Sequence, residues 1–233
     1  MPPRSSLPVH AAFLSEDLTV GAGVAIFHLA TARVVVCWHS EDKYWFLPKG
    51  RKNANEDVRV AAEREGFEES GYRNRLLPLP MKHRQTDPDE GHEEYVLEPI
   101  WTHLMPLTST KQYLLFWYIA ETIPADEEAK YANHQSRAYR APAPYPPSVT
   151  LKERIAMDSE QPQIYQPVWH EGTGVNEDEL LYKSYLLTVD EALSKLRGNA
   201  MADVMGDVVR RGWKAIEKRM AQEAQTLLEK TSV

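Results

Sequence analysis

Apolar positions fall in short β-branched runs separated by polar turns, and sustained helical periodicity is confined to the C-terminal end. TVGAGVAIFHL (19–29) and RVVVCWH (33–39), joined by a short turn, predict a hairpin or neighbouring strands. YWFLPKG reads as a brief strand broken by Pro48 and Gly50, which mark a loop. A helix is expected from near Glu56, capped by Asn53 or Asn55, and Gly71 is placed to end it as a left-handed C′ residue. YRNRLLPLP (72–80) suggests a strand ending in prolines, and MKHRQTDPDEGHEE is a polar loop. YVLEPIWTHLMPL (95–107) and KQYLLFWYIAETI (111–123) follow as strands; the second is the most apolar run and is expected at the centre of a sheet. LLYKSYLLT (180–188) restores a strand, and Thr188 with Glu191 forms a capping-box signature for VDEALSKL. A C-terminal helix is expected over 201–230, with Met201, Val204, Met205, Val208, Val209, Ile216 and Met220 on one face.

Strands, helix, strands and helices in that order predict the α+β class, a mixed central sheet flanked by helices in a single domain over 1–233. Residues 124–176 do not follow the pattern. They hold APAPYPP and many charges with little periodicity, and form a long insert before the last strand. Loops of that length act as lids, docking segments or disordered inserts, with disorder as the default. A helix around SVTLKERIAM is the one element suggested inside it.

Composition narrows the classes. With 42% hydrophobic and 26% charged residues the chain has material for a core without metal or disulfide staples. A formal charge of -7 argues against a nucleic-acid coat or an anionic-membrane binder. Cys37 is the only cysteine and lies in an apolar run, which reads as a buried structural thiol in a reducing compartment. The N-terminus has no apolar signal region and no stretch approaches a membrane span, so the expectation is a cytoplasmic or nuclear protein.

The stretch LPKGRKNANEDVRVAAEREGFEESGY (47–72) carries the chemistry. Glu65, Glu68 and Glu69 share a helix face, where each like-charge pair destabilises by about 0.2–0.5 kcal/mol. Alone, that is a solvated acidic face. The glycine loop before it, with Lys49, Arg51 and Lys52, shifts the reading: an all-oxygen site for Mg²⁺ or Mn²⁺ beside phosphate-holding cations is what pyrophosphate chemistry requires.

The spacing of Gly50, Glu56, Arg64, Glu65, Glu68, Glu69, Gly71 and Tyr72 resembles the box of the Nudix hydrolases, a glycine, five residues, a glutamate, seven residues, then R-E-U-x-E-E-x-G-U with U a bulky aliphatic. Two positions depart from it. Tyr72 replaces the terminal aliphatic, and Gly66 stands where a larger residue is usual, at a cost of about 1 kcal/mol in helix propensity and a core-facing side chain. The resemblance implies an α/β/α sandwich, Glu65, Glu68, Glu69 and the Gly50 carbonyl as metal ligands, and a Glu56–Arg64 ion pair fixing loop to helix. It implies attack of water on a phosphorus, with a box glutamate or a later-loop carboxylate as base; Glu90, Glu93, Glu94 and Glu98 are candidates.

WFLPKGRK is similar to the box entrance of diphosphoinositol polyphosphate and diadenosine polyphosphate hydrolases, so a small anionic phosphorylated substrate is expected. Lys43, Lys49, Arg51 and Lys52 before the helix are the expected substrate contacts, and Arg73, Arg75, Lys82, His83 and Arg84 after it extend a basic region unless they face only water. Trp45, Trp101, Trp117 and Tyr113 read either as core or as a purine platform. The alternatives are hydrolysis of nucleotide sugars or cap-like nucleotides, and a non-catalytic sensor; sensors go with lost box glutamates, and none is lost here.

Overall fold

The computed structural model describes residues 5–86, 94–131, 139–159 and 163–231. Its frame is an eight-stranded mixed sheet. β1 (Leu18–His28) runs parallel to β7 (Gln112–Thr122) over a ten-residue register from Leu18↔Gln112 to Phe27↔Glu121. β2 (Arg33–His39) pairs antiparallel with β1, β3 (Tyr44–Phe46) and β8 (Tyr182–Thr188). β4 (Lys49–Arg51) pairs with β1, while β5 (Asn74–Leu76) and β6 (Trp101–Pro106) pair with β7.

Strand alternation divides β1 between two apolar layers. Val24 and Ile26 pack with Ala61 and Ala62 of α1 (Val58–Ser70), whereas Ala25 and Phe27 pack with Val208 and Ile216 of α5 (Ala200–Thr231). The sheet therefore lies between α1 and α5, as expected of an α+β sandwich. Trp213 stands 5.7 Å from the Phe27 ring, an intramolecular packing role. The Thr188–Glu191 capping box is formed and opens α4 (Val189–Lys195). Cys37 is wholly buried, and burial pushes its thiol far above the ordinary range, which makes it inert. No helix among the described residues is long and apolar enough to cross a membrane.

Some boundaries moved. The helix is capped by the Asp57 carboxylate, which accepts from the Arg59 amide, and not by Asn53 or Asn55. Gly50 lies inside β4 instead of a loop, because β4 must pair with the glycine-bearing start of β1. The expected strands at 72–80 and 95–107 shrink to Asn74–Leu76 and Trp101–Pro106, with Leu79 and Val96 joined by a single bridge.

Gly66 corrects the expectation drawn from its departure. A Cβ there would stand 2.6 Å from Asn74 Nδ2 and 2.9 Å from Val24 Cγ1. The Asn74 side chain fills that space, fully buried, and donates to the carbonyls of Glu63 and Tyr72. Gly66 is thus a close-approach position between α1 and the sheet. Gly66→Ala is expected to destabilise by about 1–2 kcal/mol, overpacking outweighing the gain in helix propensity, which denaturant titration will measure.

The described part of 124–176 carries more structure than the one helix its sequence suggested, and packs on the sheet. It forms α2 (Ala125–Ala129) and α3 (Leu151–Ser159), and buries Tyr145, Leu151, Arg154 and Asp158. Arg73 and Arg75 explain how. Both are buried, not part of an open basic patch and not facing water. Arg75 is 2.6 Å from Glu121 and 2.5 Å from Glu127, and Arg73 is 3.2 Å from Glu128 while lying over the Phe67 and Tyr131 rings. The charges that looked like solvated surface clamp the insert to β5 and β7.

Candidate active site

Arg64 organises the acidic helix. Its Nε and Nη2 grip Glu56 at 2.8 and 2.9 Å, Nη2 also donates to the Arg51 carbonyl, and Nη1 reaches Glu65 and Glu68 at 2.7 Å each. This fork ties β4 and the loop after it to α1, a geometry lysine cannot reproduce. Glu69 is nearly buried, and its Oε2 accepts the Lys49 amide at 2.7 Å. Glu65 lies so close to Gly50 that a Cβ there would stand 2.0 Å from its carboxylate. The Gly50 carbonyl in turn accepts the Tyr113 hydroxyl at 3.0 Å.

The carboxylates outnumber the cations that serve them. Burial pushes the Glu65 carboxyl up to about 7 against the pull of Arg64, and Glu69 up to about 8 against the pull of Lys49; Glu68 is raised by the same cause. Among the described residues no three His, Cys, Asp or Glu side chains stand as a ready metal cage. Arg64 holds one oxygen each of Glu65 and Glu68 instead, and the second oxygens of Glu65, Glu68 and Glu69 have no hydrogen bond among the described residues. Accessible, under-compensated oxygens of largely buried carboxylates on one face suit a hard divalent cation.

A cavity of about 700 Å³ opens at the C-terminal end of this helix, bounded by Glu68 and Glu69 on one side and β8 on the other. Its third wall comes from the insert. The His170 amide donates to the Gly71 carbonyl, Trp169 Nε1 to that of Ser70, and Thr173 Oγ1 to that of Glu68. Carbonyls left over at the end of α1 are thereby satisfied by a segment a hundred residues downstream.

A family model described as the NUDIX domain matches residues 17–139, more than half of the chain. The chain belongs to the Nudix family. Membership supports the expectation of a hydrolase acting on phosphoanhydride linkages. Among curated proteins none matches the chain. Solved structures similar to it include a NUDIX-family hydrolase from Clostridium perfringens, at 13% identity and TM-score 0.42 over 85% of this chain and 96% of that one. A NUDIX hydrolase from Nitrosomonas europaea has 10% identity and TM-score 0.43, covering 83% and 89%. An Ap4A hydrolase of C. elegans, solved as a binary complex, has 16% identity and TM-score 0.35, covering 82% and 93%.

Within the Nudix frame the structure places the remaining candidates unevenly. Lys49 holds its ammonium 5.8 Å from the Phe46 ring, Arg51 is exposed, Lys52 donates to the Asn53 carbonyl, and Lys43, in the β2–β3 turn, donates to that of Ser40. None of the four lines the large cavity; Lys183 does. Glu94 and Glu98 line a second cavity beside Arg59 at the start of α1, separate from the cavity at the helix's C-terminal end, and Glu90 and Glu93 lie outside the described residues. Trp117 and Tyr113 are core, Trp101 sits under Arg211, and Trp45 packs on Trp38, so none of these aromatics faces the cavity. Sequence reasoning missed Glu179, Trp169 and Thr173. Glu179 lines the cavity, is half-buried, and lies close enough to raise Glu65, Glu68 and Glu69 further. All three lie in or just after the aperiodic insert, and no local spacing marks them.

Proposed function

We propose that the protein is a divalent-cation-dependent hydrolase that cleaves a phosphoanhydride bond in nucleoside diphosphate derivatives, dinucleoside polyphosphates among them. The observation that carries this reading is the cavity at the box, which is edged by Glu68, Glu69, Glu171 and Glu179 and has Lys183 as its one Lys or Arg among the described residues. Diphosphoinositol polyphosphates, the other class suggested by the box entrance, place phosphates all round the ring. Such a ligand calls for clustered Lys and Arg, and Arg73 and Arg75 are consumed in buried ion pairs. Nucleotide sugars fit the same chemistry.

Glu65, Glu68, Glu69 and the Gly50 carbonyl would hold Mg²⁺ or Mn²⁺. When bound there, the cation neutralises the phosphates and polarises the reacting oxygens. Arg64 orients Glu65 and Glu68, and the Lys49 amide fixes Glu69. Lys49, Arg51 and Lys52, which flank Gly50, and Lys43 from the β2–β3 turn are proposed for phosphate contact, joined by Lys183 from the cavity wall. In place of the later-loop candidates, Glu179, which starts a 3-10 turn on the cavity wall, is proposed as the base that takes the proton from water. Its Oε2 accepts the Val175 amide at 2.6 Å, which holds the side chain in place. Glu179→Gln is expected to lower kcat by about 10²-fold or more with KM nearly unchanged, the usual size of a general-base contribution.

The test is product chromatography with Mg²⁺ on a diadenosine polyphosphate, a nucleotide sugar, a nucleoside triphosphate and a diphosphoinositol polyphosphate. Turnover of either of the first two supports the reading. Turnover confined to the inositol compound rejects the substrate class, and tight binding of one compound with no turnover of any would leave a sensor.

A further inference from the structure

We infer that Trp169 is a stacking platform for the substrate's nucleobase, so that the insert, which lies mostly beyond the family-matched region, supplies the base subsite. The inference rests on the nucleotide reading above and deepens it. Trp169 is half exposed, at 50%, yet it is held in three ways. Its indole N–H donates to the Ser70 carbonyl at 3.2 Å, and its backbone forms a bridge with Tyr72. Gly71, at φ +76°, leaves room for the ring: a Cβ there would stand 2.8 Å from Nε1 and 3.0 Å from Cδ1.

A large aromatic fixed against the catalytic helix while open to solvent is the preorganised arrangement that stacking needs, since little conformational freedom remains to be lost on binding. The ring shares its cavity with Glu68 and Glu69, so a base stacked on it belongs to the same molecule whose phosphates meet the box. Volume and charge agree. About 700 Å³ is the size of a small-molecule site. Carboxylates at Glu171 and Glu179 with Lys183 as the facing ammonium tolerate an uncharged ring and repel a phosphorylated one. Tyr185, 40% exposed on the β8 wall, adds a second aromatic surface.

The test uses ligands that cannot be cleaved. α,β-Methylene-ADP and methylenediphosphonate differ by the nucleoside; calorimetric Kd values for both, with Mg²⁺, give the base-dependent gain in wild type, Trp169→Phe and Trp169→Leu. Stacking of a base is worth about 1–3 kcal/mol, so Trp169→Leu is expected to weaken α,β-methylene-ADP by roughly 5- to 150-fold and to leave methylenediphosphonate unchanged. Trp169→Phe keeps a π face and loses the Ser70 hydrogen bond, and it is expected to retain most of the gain. If Trp169 only staples the insert, Trp169→Phe and Trp169→Leu will weaken both ligands alike, and the inference falls. It also falls if wild type shows no base-dependent gain. Because nothing is cleaved, these outcomes stand apart from the turnover panel: an enzyme that hydrolyses nucleotides but shows no base-dependent gain keeps its function and loses this subsite.

Discussion

Glu69→Gln is expected to lower kcat by about 10³-fold, the several kcal/mol that charge stabilisation by a bound cation supplies, while the protein stays folded. The two halves of this expectation come from the same geometry. Glu69 is anchored by accepting the Lys49 amide at 2.7 Å, and a glutamine carbonyl oxygen can accept that bond equally well. What the substitution removes is the ability to ionise, and ionisation here works against the metal-free protein. The side chain is 8% exposed, and burial is the largest influence on its carboxyl, outweighing the pull of Lys49. Replacing a carboxyl whose ionisation is opposed by burial should therefore leave the melting temperature of the metal-free protein the same or higher. Divalent cation should separate the two forms, raising the melting temperature of wild type and giving little increase in Glu69→Gln. Full activity in the glutamine variant would remove Glu69 from the cation site; loss of activity with an unfolded protein would show its role to be structural.

The box was legible because its chemistry is local. Glu56, Arg64, Glu65, Glu68 and Glu69 sit within fourteen residues, and helix periodicity alone puts the last three on one face. The strands were legible for a related reason, since β-branched runs such as RVVVCWH match β2 from end to end. The readings failed wherever a partner lies far along the chain. Arg73 and Arg75 resemble an exposed strand face until Glu121, Glu127 and Glu128 are brought against them. Gly66 resembles a defect until Asn74 occupies its space. The insert has no apolar periodicity because it docks largely through charges, and charged residues in a proline-rich stretch carry the compositional mark of disorder. Trp169 and Glu179 were hidden by the same property.

Arg154→Met is expected to destabilise the protein by about 3–5 kcal/mol, the cost of leaving buried carboxylates without their partner. Arg154 is 1% exposed. It stands 2.8 Å from Glu121 and 2.9 Å from Asp158, both equally buried, and donates to the Thr122 carbonyl. The two carboxylate contacts are close but off the hydrogen-bonding directions, so their value is mainly coulombic. Burial still raises the Glu121 carboxyl despite two facing guanidiniums, which means the desolvation of this cluster is only partly offset. A second substitution should then recover part of the loss. Glu121→Gln combined with Arg154→Met removes both charges, and a double-mutant cycle is expected to show a coupling of about 1–3 kcal/mol. Arg75 remains held by Glu127 in that variant. The damage should also reach the active site. Arg154 lies on α3, and the segment that follows carries Trp169 and Thr173 to the end of α1. Arg154→Met should therefore be cleaved faster within 124–176 in limited proteolysis and should bind nucleotide more weakly, with no box residue altered. Additive mutational costs with an unchanged cleavage pattern would show that α3 is held by its apolar contacts instead, and that the charged clamp does not couple the insert to the site.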